Sequence, residues 1–169
     1  MSALDELAVR SRRLRITSLD HDAATHQAAL LMTMDGESAE PVEIHLGMPD
    51  GTLAGVTTLL DVLDLMRAPV TMSASLPVRG VAAALFVAHP GERLLHERAS
   101  LDLRLPAEPV TSGDIETAAA ISRALRDDLR ARLAARAGLA EDRIIELTTS
   151  GGFIDAPTCV EAGLADALS

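Results

Sequence analysis

Between residues 12 and 75 the hydrophobic period switches back and forth between two and about 3.6, and that alternation restricts the chain to few architectures. The run from Arg12 to Leu19 alternates as a strand, with Leu14 and Ile16 facing one way. Asp20 or Asp22 caps a helix whose Ala23, Gln27, Leu30, Leu31 and Met34 share one stripe. The polar stretch Gly36 to Pro41 ends that helix, and Val42 to Leu46 reads as a buried strand. Met48-Pro49-Asp50-Gly51 reads as a turn. Leu53, Val56, Leu59, Leu60 and Leu63 then place an apolar stripe on a helix running to about Arg67, and Pro69 opens a strand from Val70 to Ser75. Strand, helix, strand, helix, strand argues for parallel strands joined by crossover helices, an α/β fold.

The small residues Gly80 to Ala84 continue to Ala88 as a buried helix, and two short strands are expected near Arg93 to His96 and Ser100 to Leu105. Thr111-Ser112-Gly113-Asp114 has the form of a capping box. After it Ile115, Ala118, Ile121, Leu125, Leu129 and Leu133 recur at helical spacing until Gly138, with Asp128 and Arg132 paired on the polar side. So long a helix with so narrow a stripe is expected to project from the body. A short helix near Asp142 to Leu147 follows, then a last turn opened by Asp155-Ala156-Pro157 and closed by Gly163. No repeat or linker divides the chain, so one domain over residues 1–169 is expected.

Charge excludes several functions. Fifteen basic residues, all arginine, stand against 25 acidic ones, a net charge of −10 that repels nucleic acid and anionic membranes. No apolar run approaches the roughly 20 residues of a membrane helix, and the charged start is unlike a secretory signal, so a cytoplasmic location is expected. Two phenylalanines, without Trp or Tyr, leave almost no base-stacking surface. Cys159 has no disulfide partner and reads as a buried structural thiol. Asp22 and His26 lie one helical turn apart beside His21, too few ligands for a metal site, so no metal and no cofactor are expected.

The tail Phe153-Ile154-Asp155-Ala156-Pro157-Thr158-Cys159-Val160-Glu161-Ala162-Gly163-Leu164-Ala165-Asp166 is similar to the F-L-S-A-P-E-A-x-E-Y-G-L-x-D of ClpP, the proteolytic subunit of the Clp protease, within the wider ClpP/crotonase superfamily. Pro49-Asp50-Gly51 stands where that family has P-G-G, and Gly91-Glu92-Arg93 resembles its G-K-R. The long helix, about residues 112–137, resembles the family's handle. The resemblance runs from about Leu7 to Leu168. It implies repeated β-β-α units with a protruding handle helix, a heptamer-like ring, and peptide cleavage by a serine, a histidine and an aspartate.

Carried over residue by residue, the resemblance puts the serine position at Arg79, the histidine position at Arg104 and the aspartate position at Gly151. A guanidinium stays protonated in a protein, so neither arginine is a nucleophile or a base, and glycine orients nothing. The resemblance also implies that Gly51 and Gly80 supply the backbone N–H groups of an oxyanion hole. Asp50, in place of a family glycine, and Asp102 are candidate partners for the arginines; a pair between Asp50 and Arg79 would plug the old site.

The resulting expectation is a catalytically degenerate subunit of a Clp-type peptidase ring, formed by this chain alone or mixed with an active paralogue. The resemblance implies docking of an AAA+ unfoldase through surface pockets rich in Tyr and Phe; this chain has no Tyr and only two Phe, which leaves that partner open. Two enzymatic alternatives stand beside it. One is a Clp-type serine peptidase with a displaced triad drawn from Ser73, Ser75 or Ser100 with His89 or His96. The other is a crotonase-like acyl-group enzyme built on Gly51 and Gly80.

Overall fold

The computed structural model describes residues 2–105 and 115–169. In chain order the elements are α1 (Ala3–Ser11), β1 (Arg13–Leu19), α2 (His21–Glu37), β2 (Val42–Gly51), α3 (Leu53–Leu65), β3 (Val70–Ala74), β4 (Val78–Arg79) and α4 (Val81–Ala88). Then follow β5 (Glu92–Leu95), β6 (Ser100–Asp102), α5 (Ile115–Ala137), α6 (Glu141–Thr149), β7 (Ile154–Asp155), α7 (Ala156–Glu161) and β8 (Ala167–Leu168). The main sheet has the order β1-β2-β3-β5-β8 with every pair parallel. A second sheet, β4-β6-β7, pairs β4 with β6 in parallel and β6 with β7 antiparallel.

Alternation in the strands sorts the residues to two faces. Leu14, Ile16, Val42, Ile44, Leu46, Val70, Met72 and Ala74 are buried in the core. Their neighbours Arg15, Glu43, His45, Thr71, Ser73 and Glu92 are not buried, so this parallel sheet keeps a polar face. α3 buries its whole expected stripe, and all eight residues of α4 are buried. Asp20 caps α2 by accepting from the Ala23 N–H (2.8 Å), Thr52 caps α3 through Gly55 (3.1 Å) and Asp155 caps α7 through Thr158 (2.9 Å).

Besides the short strands β4, β7 and β8, which the sequence reading did not place, two features depart from it. Met48 to Gly51 is not a turn: β2 continues to Gly51 through a bulge, because Ser18 and Leu19 of β1 resume pairing with Asp50 and Gly51. Met48 takes the strain of that bulge with φ 65°. The N-terminal segment forms helix α1, capped reciprocally by Ser2 and Asp5.

The long helix α5 divides into two halves. Leu129 and Leu133 are buried, and Arg132 reaches Asp61 (2.6 Å) and Asp64 (2.7 Å) of α3. From Glu116 to Asp128 no residue is buried, which suits a projecting helix. The expected capping box at Thr111 to Asp114 lies outside the described residues. The tail is tied down by Arg93, whose guanidinium bonds both oxygens of Asp166 (3.0 and 2.7 Å).

Candidate functional site

A cleft of about 360 Å³ opens where the end of β2, the start of α4 and the loop after β6 meet. Pro49, Asp50, Gly51, Arg79, Gly80, Val81, Asp102, Arg104 and Leu105 line it. The β2 bulge delivers Asp50 and Gly51, and the parallel register of β4 and β6 sets Arg79 level with Asp102. Gly80 turns the chain into α4 with φ 62°, a conformation that favours glycine. Gly51 lies so close to β1 that a Cβ there would stand 2.2 Å from the Leu19 Cβ.

The electrostatics centre on Asp102, which is 3% exposed. Arg104 donates from Nε to Oδ1 (2.9 Å) and Oδ2 (3.0 Å), and a terminal nitrogen also grips Oδ2. These bonds hold the Asp102 carboxyl below the usual range against the effect of burial, and the nearby charge of Arg79 adds to them. In return Asp102 raises the pKa of Arg104.

The Arg79 side chain is exposed and makes no hydrogen bond or ion pair among the described residues. The expected pair between Asp50 and Arg79 is therefore not formed. Both side chains reach solvent, where holding two long groups together gains little, and the buried acid of the cleft is committed to Arg104 instead.

Six of the expected residues, Asp50, Gly51, Arg79, Gly80, Asp102 and Arg104, meet in this cleft. Gly151 does not line it: it follows α6, with its N–H donating to the Glu146 carbonyl (3.1 Å). The Gly80 N–H donates to the Asp102 carbonyl (2.7 Å), so it is not free to meet an oxyanion.

The hydroxyls and imidazoles lie elsewhere. His89 is buried, with Nε2 donating to the Val70 carbonyl (2.9 Å), and burial pushes its pKa down to about 4, so it is neutral at pH 7. His96 accepts from the Arg98 N–H (3.2 Å). Ser73 does meet an imidazole, His45 Nδ1 at 3.2 Å, a pairing set by the β2–β3 register and missed by the sequence reading. That pair sits on the polar sheet face, does not line the cleft, and has no carboxylate partner for His45 among the described residues.

The other sequence candidates find structural roles. His26 Nε2 lies 2.9 Å from Asp5 of α1, and no group of metal-ligating side chains occurs among the described residues. The Cys159 thiol is buried, and desolvation pushes its pKa up to about 11, as for a packing residue. No helix among the described residues is long and apolar enough to cross a membrane.

Comparison with known proteins places the geometry in a family context. The family model described as Clp protease matches residues 5–169. Among solved structures, the ClpP protease catalytic domain from Plasmodium falciparum superposes with a TM-score of 0.83 at 13% identity, over 98% of this chain and 89% of that one. No curated protein matches the sequence.

Proposed function

The chain belongs to the Clp protease family, and from that premise we propose that it is a catalytically silent, ClpP-like subunit of a peptidase ring. The observation that carries this reading is the pair Arg79 and Arg104 in one cleft, at the positions where the resemblance puts nucleophile and base. A guanidinium is already protonated in a protein, so neither side chain can take the proton of a nucleophile. With the Gly80 N–H spent on Asp102, the second oxyanion donor is also missing, which weighs equally against a crotonase-like acyl-group enzyme. The role left is structural or regulatory: a single ClpP-like domain in a heptamer-like cytoplasmic ring, shared with an active paralogue.

Incubation with a fluorophosphonate tests the proposal, because such probes form adducts only with activated serines. The expected intact mass is unchanged after a treatment that saturates an active serine peptidase. An adduct on any serine overturns the silent reading. An adduct on Ser73 in particular would favour the displaced-site alternative, with His45 as its base.

A further inference from the structure

We propose that the cleft is a carboxylate-binding site whose ligand is the C-terminal end of a short peptide, held by the guanidinium of Arg79. The choice of peptide rests on the reading of this chain as part of a peptidase ring; the carboxylate chemistry rests on the cleft alone.

Four observations support an anion here. Arg79 is a cation with five N–H donors and no partner among the described residues, in a chain whose net charge is −10. Arg104 binds Asp102 through Nε and one terminal nitrogen, and its other terminal nitrogen, Nη1, has no partner among the described residues. Asp102 is held in an ion pair by that grip, so of the two carboxylates lining the cleft only Asp50, exposed to solvent at its rim, opposes an incoming anion. Helix α4 begins at the cleft with no side-chain cap, so its first-turn N–H groups and its dipole also favour negative charge.

The shape points to an organic anion rather than a bare ion. Beside the arginines the cleft carries Pro49, Val81 and Leu105, an apolar flank on which a terminal aliphatic side chain packs. A carboxylate matches a guanidinium fork in two parallel hydrogen bonds. Every peptide bond hydrolysed by active subunits of a ring releases one new C-terminal carboxylate, so the site would hold product and slow its departure.

Calorimetric titration of the intact chain tests this with acetyl-Ala-Ala-Leu as free acid, the same peptide as C-terminal amide, and inorganic phosphate. The expected result is saturable binding of the acid, at least roughly tenfold weaker binding of the amide, and a similar loss in Arg79→Ala but not in Arg98→Ala, an exposed arginine outside the cleft. Arg79 is exposed and without a partner, so its removal should leave the thermal melt unchanged; the acid–amide comparison on the unaltered chain needs no variant at all. Equal binding of acid and amide, no saturable binding of the acid, or phosphate binding as tight as the acid overturns the proposal. Mass spectrometry of the same mixture separates the two readings: a cleaved peptide sinks the silent-subunit reading, whereas an intact peptide bound without regard to its terminus sinks only the carboxylate site.

Discussion

Replacement of Asp166 by alanine is expected to cost about 3 kcal/mol of stability, the lower end of what breaking a buried ion pair costs. Arg93 is 1% exposed, and its guanidinium lies between the Val87 carbonyl and the two oxygens of Asp166. Without the carboxylate a buried cation loses its counter-charge, and the bond from the Arg93 N–H (2.9 Å) is lost with it. The lower end applies because the Asp166 side chain is 33% exposed and water partly replaces it. Arg136 also loses a bond to Asp166 (2.8 Å) but keeps those to the His89 and Gly91 carbonyls.

The same pair sets an acid dependence. Hydrogen bonds from Arg93 hold the Asp166 carboxyl down at about 2, from an ordinary value of 3.8. A depressed folded-state pKa means that its contribution is complete above about 4 and is lost as pH falls toward 2. Thermal melts at fixed protein concentration check both statements. The variant should melt lower by roughly 6–12 °C near neutral pH, and the gap should narrow as pH falls from 4 to 2. An unchanged melting temperature at neutral pH, or a gap independent of pH, would contradict the assignment.

Phe86→Ala is expected to be the most damaging substitution of a single core residue, at about 3–5 kcal/mol. Phe86 is fully buried within α4, a helix buried all round, so no exposed face can move in to fill the space. It is also the one buried phenyl ring: Phe153 is 57% exposed. Urea unfolding measures the loss, and Phe86→Leu should recover most of it by keeping much of the volume. A loss below about 1 kcal/mol would place Phe86 outside the packed interior.

The elements that sequence reading found are those whose apolar spacing is complete within themselves. Leu53, Val56, Leu59, Leu60 and Leu63 form a helical stripe without help from any neighbour, and the eight apolar residues of α4 admit only burial. Met48-Pro49-Asp50-Gly51 misled because Pro, Asp and Gly favour turns locally, whereas pairing with Ser18 and Leu19 on another strand keeps the segment extended. Helix α1 carried a signal in Ser2 and Asp5, three apart as a capping box requires, that went unread.

At the site, positions were more legible than pairings. Arg79, Arg104, Gly51, Gly80 and Asp50 do converge in one cleft. Which acid meets which arginine depended on depth: Asp102 is buried at the end of β6 while Asp50 stays at the rim, and burial is not written in the spacing of either. The pairing of His45 with Ser73 was illegible for a related reason, since it depends on the register between strands that are distant in sequence.

Native mass spectrometry of the tagged chain, isolated from its own cells, tests most directly whether this is a silent subunit of a peptidase ring. The expected result is a large particle in which this chain accompanies a second subunit that carries an intact serine, histidine and aspartate and takes the fluorophosphonate label. A small oligomer, or a ring of this chain alone that takes the label and cleaves peptides, would contradict it.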